Sequence, residues 1–192
     1  MEREILLTGI GGQGVQLAAR SLAQAAMREG RRVLMFGTYG GMMRGGDTDA
    51  TVVIGEDSLL TPPVVDRVWG VVAMHHLSWD AVSRKLRPDG ILLTNDKVFQ
   101  AVSGHPGPLL SVAASAIATG AGVAQAGSMV ALGAFVAATG IVQLETLLAI
   151  AGEVLPPYRR QFADGNRRAM QLGHDAVAAT LCAAWPAREA VA

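Results

Sequence analysis

The chain has 192 residues and carries 16 basic and 16 acidic side chains, so its formal net charge is zero at pH 7. That balance, without a basic block, argues against nucleic acid or an acidic membrane surface as a partner. Apolar residues make up 51% of the chain and charged residues only 17%, which predicts a large buried interface with another subunit. The single cysteine, Cys182, excludes an internal disulfide, a multi-cysteine zinc site and a self-contained iron–sulfur cluster.

The length and the first residues predict a single domain, residues 1–192, in the cytoplasm. The N-terminal residues lead into a strand and do not resemble a signal peptide. No Asp, Glu, Lys or Arg occurs between residues 98 and 144, a stretch long enough for a membrane helix. Because the stretch is mostly Ala and Gly and is interrupted by Pro106 and Pro108, we expect buried packing and no contact with a membrane.

The first half of the chain alternates short apolar runs with helical patterns. Strands are predicted at 4–8, 32–36, 49–54, 69–74 and 90–94, and helices at 14–29 and 79–86. This alternation predicts an α/β fold, Rossmann-like, with a mostly parallel sheet and helices on both faces. The strand at 49–54 follows a loop instead of a helix, which allows a mixed sheet at that point.

The second half of the chain predicts a helical C-terminal part. A short run at 109–112 precedes helices predicted at 128–139, 144–154 and 157–172. An Ala-rich helix is predicted at 175–184 and carries Cys182 as a small apolar residue. Small residues at 131, 133, 134 and 137 allow a helix to approach its neighbour closely. Packing inside the domain and packing against another subunit explain these small residues equally well.

A glycine turn follows the first predicted strand and opens the first helix. Its residues are Gly9, Gly11, Gly12, Gln13 and Gly14, which satisfy the pattern G-x-G-x-x-G in the context that this pattern requires. Glycine allows the tight turn and lets the backbone approach a pyrophosphate, and the amides at the helix N-terminus bind anions. The Gln13 amide adds a donor for a phosphate or carbonyl oxygen. We therefore predict that these residues bind a ligand.

The second half of the dinucleotide pattern is missing. An acidic residue at the end of the second strand normally holds the adenine ribose, and here that segment reads Met35-Phe36-Gly37-Thr38. No Asp or Glu lies between Arg31 and Met43. The spacing alone therefore disfavours NAD(P), although it does not exclude it.

A second glycine segment leaves the carboxyl end of the second strand. It contains Tyr39, Arg44, Gly45 and Gly46. Ligands of open α/β sheets bind at this edge, so both glycine segments are expected to face one crevice. An Arg44 guanidinium there can bind a carboxylate or phosphate bidentately or contact carbonyls of a partner chain, and Tyr39 offers a ring for stacking. A solvated arginine in a flexible loop is the alternative.

Together these segments resemble the gamma subunit of the 2-oxoacid:acceptor oxidoreductases, the family that acts on pyruvate, 2-oxoglutarate, branched-chain 2-oxoacids, indolepyruvate and phenylglyoxylate. The residues that carry the resemblance lie at 9–15, 38–40, 44–46, 50–54, 61–63, 71–75, 90–95, 130–134 and 166–173. Two places depart from the family pattern. Gly41 and Met42 stand where the family commonly has Pro and Glu, and Ser128 stands where it often has Asn.

The resemblance implies a supporting subunit in a complex that oxidatively decarboxylates a 2-oxoacid to an acyl-coenzyme A. In such enzymes thiamine diphosphate and magnesium are held by alpha and beta subunits, and iron–sulfur clusters by beta or delta-type subunits. Electrons pass to ferredoxin or, through further subunits, to NAD. The gamma subunit is expected to bind no cofactor tightly by itself and to form part of the region that coenzyme A approaches.

Two other functions stay open at this point. The chain can be a free-standing NAD(P)- or nucleotide-binding enzyme, or a purely structural subunit with an empty crevice. The conspicuous titratable pair, His75 and His76, follows the fourth predicted strand. It can face the crevice and bind an anion, but ordinary strand-end histidines are the preferred interpretation. No residue of this chain is predicted to be catalytic or to bind a metal.

Overall fold

A computed structural model of the chain describes residues 1–39, 46–62, 64–96 and 105–186. Its strands are β1 (Glu2–Ile10), β2 (Arg32–Tyr39), β3 (Asp47–Gly55), β4 (Val68–Ala73), β5 (Leu86–Asn95) and β6 (Leu109–Val112). They form one six-stranded sheet in the order β2-β3-β1-β4-β5-β6. β3 is antiparallel to both of its neighbours, and the other neighbouring pairs are parallel. The mostly parallel sheet is confirmed, and its mixed part is the strand that follows a loop.

Helices cover the two faces of the sheet unequally. They are α1 (Val15–Arg28), α2 (Trp79–Ser83), α3 (Ala114–Gly120), α4 (Gly127–Thr139), α5 (Leu144–Ala149) and α6 (Ala163–Asp175). The larger core lies on the face covered by α1 and α3 to α6. The smaller core lies on the other face, where Val82 of α2 and Leu59 and Val65 of the segment before β4 contribute. None of the helices in the described residues is both long and apolar enough to cross a membrane.

Helix α4 is the centre of the larger core, and α6 packs closely on it. Almost every residue of α4 is buried, so this helix has neighbours on all sides. A Cβ atom on Gly133 would overlap the carbonyl of Met170, and one on Gly173 would overlap the carbonyl of Val130. The small residue at position 133 therefore serves packing inside the domain.

The predicted helix at 175–184 is wrong, because α6 ends at Asp175 and the following residues form turns. The backbone amides of this segment bind the C-terminal end of α4 instead of each other. The amides of Leu181 and Cys182 donate to the carbonyl of Ala138 at 2.8 and 3.1 Å, and the Ala184 amide donates to Thr139 at 2.8 Å. The last carbonyls of a helix accept no hydrogen bond from within that helix, so these three amides cap the C-terminus of α4. Cys182 lies half-buried against the core.

Three predicted helices have other bounds or another helix type in the structure. α2 is shorter than the predicted helix at 79–86 because Leu86 already starts β5 and pairs with Val68. The helix predicted at 144–154 continues past α5 as the 3-10 helix Ile150–Gly152, and the one predicted at 157–172 begins as the 3-10 helix Pro157–Phe162. α3 was not predicted at all.

Candidate functional site

The candidate site lies at the carboxyl edge of the sheet, the edge at which β1, β4, β5 and β6 end. Because β3 runs the other way, it starts at this edge with Asp47, which pairs with Ile10 at the end of β1. Helices α1 and α4 begin close together here, since the Ser128 hydroxyl lies 2.8 Å from the position of a Cβ on Gly14. The start of α3 is adjacent, because a Cβ on Gly127 would lie 3.5 Å from the Ser115 hydroxyl.

The glycine turn has the conformation that its sequence predicts. Gly12 and Gly14 have positive φ angles of 98° and 80°, which residues with a Cβ rarely adopt. A Cβ on Gly9 would lie 2.5 Å from Gln13 Oε1 and 3.1 Å from Met74 Cβ. Glycine at this position therefore lets the turn lie directly against the end of β4.

The turn uses part of its own hydrogen-bonding capacity internally. The side-chain Oε1 of Gln13 accepts a hydrogen bond from the backbone amide of Ile10 at 3.0 Å. The backbone amide of Gln13 donates to the carbonyl of Ile10 at 3.1 Å. α1 then begins without a side-chain cap and without an acidic residue in its first turn. Its first amides have no acceptor within the helix and carry its positive dipole end.

The two glycine segments meet in the structure. The Gly11 amide donates to the Gly46 carbonyl at 2.9 Å, and Gly46 is half-buried. Tyr39 is the last residue of β2, but its side chain lies outside the described part of the chain, as do Arg44 and Gly45 entirely. The roles proposed for Tyr39 and Arg44 therefore stay predictions.

Ser128 is a residue of this edge that the sequence marked only as a departure from a family pattern. It is 2% exposed, and its Oγ atom has no hydrogen-bond partner. It stands at the start of α4 and faces Gly14, the residue that caps α1. A lone serine in an Ala/Gly-rich segment carries no signal of this role, because the contact depends on how the two helices meet.

His75 caps a short turn at the end of β4. Its Nδ1 accepts from the Leu77 amide at 3.2 Å, and its ring stacks on that of His76 with the centroids 4.5 Å apart. Partial burial lowers the pKa of His75, repulsion by His76 lowers it further, and the Asp47 carboxylate opposes both effects. The imidazole thus has local contacts at the end of β4 and lies within electrostatic reach of Asp47. The interpretation of the pair as ordinary strand-end histidines stays a prediction.

Two acidic residues, Asp47 and Asp49, lie beside the glycine turn on β3. The expected position of a ribose-binding acid is the end of β2, where the chain has none. In the structure β3 separates β2 from β1 and places Asp49 opposite Thr8. Asp49 Oδ1 is buried without a hydrogen-bond partner, while its carbonyl accepts from Gln16 Nε2 at 2.7 Å.

Asn95, the last residue of β5, connects three elements at this edge through hydrogen bonds of its side chain. Its side chain is fully buried, donates to Ser115 Oγ at 2.9 Å and to the Met74 carbonyl at 3.4 Å, and accepts from the Ser115 amide at 3.1 Å. These bonds tie the end of β5 to β4 and to the first turn of α3. Within the described residues, no group of three or more His, Cys, Asp or Glu side chains is placed to hold a metal ion.

The sequence is similar to subunits of oxidoreductases that act on 2-oxoacids. The model of the family described as pyruvate ferredoxin/flavodoxin oxidoreductase matches residues 4–176. Pyruvate synthase subunit PorC from Thermotoga maritima is 33% identical over 91% of this chain and 94% of its own length. Ketoisovalerate oxidoreductase subunit VorA from Methanothermobacter thermautotrophicus is 35% identical over 71% of this chain, which spans only 28% of that protein.

Solved structures share the fold. The keto/oxoacid ferredoxin oxidoreductase gamma subunit from Geobacter sulfurreducens superposes with a TM-score of 0.77 at 27% identity, over 90% of this chain and 96% of that one. The 2-oxoglutarate:ferredoxin oxidoreductase from Magnetococcus marinus, solved with 2-oxoglutarate, coenzyme A and succinyl-CoA bound, superposes with a TM-score of 0.79 at 20% identity, over 96% of this chain and 33% of that one.

Proposed function

The chain belongs to the pyruvate ferredoxin/flavodoxin oxidoreductase family as a gamma-type subunit, and we propose that its complex oxidatively decarboxylates a 2-oxoacid to an acyl-coenzyme A. In this proposal the chain supplies structure and one wall of the coenzyme A region, and the catalytic groups belong to other subunits. The residues that we propose for that wall are Gly9, Gly11 to Gly14, Tyr39 and Arg44 to Gly46.

The observation that carries the proposal is the junction of the two glycine segments. The bond between the Gly11 amide and the Gly46 carbonyl joins the last residue of the second segment to the glycine turn that precedes α1. Coenzyme A carries several phosphate groups, and a helix N-terminus and a guanidinium both favour such anions. The fold relative from Magnetococcus marinus was solved with coenzyme A bound, which supports the same ligand class here.

Partners follow from the same proposal. We expect alpha, beta and delta-type subunits, with thiamine diphosphate, magnesium and iron–sulfur clusters held by them, and ferredoxin or an NAD-linked carrier as the electron acceptor. We also propose that residues 1–192 form one domain and that the complex works in the cytoplasm.

Purification of the tagged chain from its native host tests the assembly. We expect thiamine- and cluster-binding subunits to copurify and the preparation to oxidise at least one 2-oxoacid with coenzyme A. Recovery of a lone monomer would overturn the proposal.

Substitution of Arg44 in the assembled complex tests the crevice. Arg44→Ala is expected to raise the apparent KM for coenzyme A about tenfold, since hydrogen bonds to charged groups contribute about 1.5–3 kcal/mol. Arg20→Ala is the matched control, because Arg20 is an exposed arginine on α1. An unchanged KM for coenzyme A in Arg44→Ala would remove Arg44 from the site.

A free-standing NAD(P)-binding function is the second candidate, and Asp47 and Asp49 favour it because they lie beside the glycine turn. Titration of NADH and NADPH fluorescence distinguishes the two candidates. Binding of NAD(P)H that Asp49→Asn weakens, without binding of coenzyme A, would replace the first proposal by the second. Binding of neither ligand by an intact, active complex would identify a purely structural subunit.

A further inference from the structure

The exposed side of residues 157–168 combines arginine and aromatic side chains, and we propose that it docks an acidic surface of another subunit of the complex. This inference deepens the proposed function and rests on it for the existence of partner subunits. It identifies where on this chain such a subunit binds and which chemistry recognises it.

The first support is a local excess of positive charge. Residues 157–168 contain four arginines and one aspartate, whereas the whole chain carries equal numbers of basic and acidic side chains. The aspartate, Asp164, forms an ion pair with Arg167, whose Nε also donates to the Leu148 carbonyl at 3.3 Å. In the part of the chain that the structure describes, the other three arginines are exposed and form no ion pair with a carboxylate; they are Arg159, Arg160 and Arg168. Exposed guanidinium groups of this kind are complementary to the carboxylates of an acidic partner.

The second support is a short helix that this chain leaves uncovered. None of the six residues of the 3-10 helix Pro157–Phe162 is buried, and Tyr158 is 72% and Phe162 51% exposed. One exposed aromatic side chain is common on protein surfaces, but two on one short helix, together with arginines, have the composition of an interface centre. We define the arginine–aromatic surface as Tyr158, Arg159, Arg160, Phe162 and Arg168.

The 3-10 helix is held in its conformation by local interactions instead of packing. Pro157 occupies its first position, where the fixed φ angle of proline suits a helix. The Arg159 amide donates to the Pro156 carbonyl at 2.8 Å. The Arg159 guanidinium lies 5.7 Å from the centroid of the Tyr158 ring, within the range of a cation–π contact. Side chains presented on a preformed turn lose less conformational entropy when a partner binds.

The arginine–aromatic surface lies away from the crevice at the carboxyl edge. Gly133 of α4 contacts Met170 of α6, and Val130 contacts Gly173, so the two helices are antiparallel. The start of α6 therefore lies toward the C-terminal end of α4, whereas the crevice lies at its N-terminal end. A ligand of the crevice and a subunit on this surface bind at different places.

An acidic protein surface fits these side chains better than a phosphate-bearing small molecule does. The guanidinium groups of the arginine–aromatic surface bind carboxylates and phosphates alike. The Tyr158 and Phe162 rings, however, offer apolar area that a phosphate group does not use. A protein surface supplies carboxylates for the arginines and apolar atoms for the rings at the same time.

A photo-crosslinker in the purified complex tests the location. Gln161 is exposed on the 3-10 helix, and we expect p-benzoylphenylalanine in its place to join this chain to an Asp- and Glu-rich peptide of another subunit. Mass spectrometry identifies the peptide. The same probe in place of Lys85 is the matched control, because Lys85 is exposed beyond α2 on the other face of the sheet, and it should not reach that peptide. A crosslink from position 161 to a second copy of this chain, to a peptide without excess acid or to no protein would overturn the proposal.

Charge reversal tests the chemistry. The double variant Arg159→Glu/Arg160→Glu is expected to raise the Kd for that subunit at least about tenfold, measured by native mass spectrometry of the complex on dilution. The Kd of the wild type should rise with ionic strength, and that of the double variant should not. Arg84→Glu/Lys85→Glu makes the same change of charge at exposed residues and should leave the Kd within about twofold. Equal Kd values for the wild type and Arg159→Glu/Arg160→Glu would overturn the proposal.

The aromatic part has its own variants. Tyr158→Ala is expected to raise the Kd at every ionic strength, because it removes apolar contact area, whereas Tyr158→Phe keeps the ring and should match the wild type. A Kd for Tyr158→Ala equal to that of the wild type would remove the ring from the surface.

Activity of the same preparations separates this proposal from the proposed function. If the complex oxidises a 2-oxoacid and no substitution in the arginine–aromatic surface changes the Kd, the proposed function stands and the docking surface is wrong. If the probe at position 161 joins an acidic subunit but the complex oxidises no 2-oxoacid, the docking surface stands and the proposed function is wrong.

Discussion

Gly133 of α4 and Gly173 of α6 hold their two helices in reciprocal backbone contact. A Cβ on either residue would overlap a carbonyl oxygen of the other helix. The larger core depends on this approach, because α4 lies at its centre and α6 closes it.

Substitution of Gly133 by alanine is therefore expected to destabilise the chain. The helices must separate to accommodate the methyl group, and overpacking of this kind costs up to about 3 kcal/mol. Urea denaturation followed by circular dichroism measures the free energy of unfolding. Gly120→Ala is the control, since a Cβ on Gly120 of α3 has nothing within 4 Å, and it should change stability by less than about 0.5 kcal/mol. Equal stability of the two variants would contradict the close approach.

Local sequence patterns predicted the sheet and the glycine turn well, because they depend on residues that are near each other in the chain. The short run at 109–112 forms β6, and the glycine pattern marks the turn between β1 and α1. The place of β3 between β2 and β1 could not be predicted, because strand order depends on contacts between distant residues. That order decides which acids lie beside the turn.

Contacts between distant residues also determine the structure of residues 176–186 and the environments of Ser128 and Gly133. An Ala-rich segment predicts a helix, but the amides of Leu181, Cys182 and Ala184 bind the end of α4, an interaction that no local pattern reports. The contact between Ser128 and Gly14 is likewise invisible in the sequence. The small residue at position 133 was compatible with two environments, and only its contact with Met170 distinguished them.

The Asn95–Ser115 pair should behave as one coupled unit. Asn95→Ala removes a fully buried amide with bonds to Ser115 and Met74, and we expect it to lower the free energy of unfolding by about 2 kcal/mol. Ser115→Ala removes one acceptor and should cost about 1 kcal/mol. The double variant is expected to cost less than the two single variants together, because the second change then removes a bond already lost. Strict additivity in the urea denaturation series would show that the two side chains do not interact.

Trp185 anchors the segment that follows α6, so its substitution should loosen residues 176–186. Its Nε1 donates to the Ile141 carbonyl at 2.9 Å, and the Arg31 guanidinium lies 3.6 Å from the centroid of its ring. Trp185→Phe keeps a ring and should cost about 1 kcal/mol, whereas Trp185→Ala also loses the cation–π contact and should cost about 2 kcal/mol. Limited proteolysis should then cleave after Asp175 faster in the alanine variant. Leu181→Ala is the control, because Leu181 is 46% exposed, and accelerated cleavage in this variant alone would place the anchor elsewhere.

His75 should make stability depend on pH near the ordinary pKa of histidine. Burial and His76 lower the pKa of His75 in the folded chain below its unfolded value, so the unfolded chain binds more protons at mildly acidic pH. The contribution of His75 is therefore fully present above pH 6.5, the unfolded value, and is lost as the pH falls toward the folded pKa.

Asp47→Asn removes the charge that raises the pKa of His75, so this pKa is expected to fall further. An NMR titration of the His75 ring protons measures the shift directly. Asp175→Asn removes a carboxylate at the far end of α6, beside His174, and should leave the His75 pKa unchanged. A rise of the His75 pKa in Asp47→Asn would show that the carboxylate does not act on this imidazole as the structure indicates.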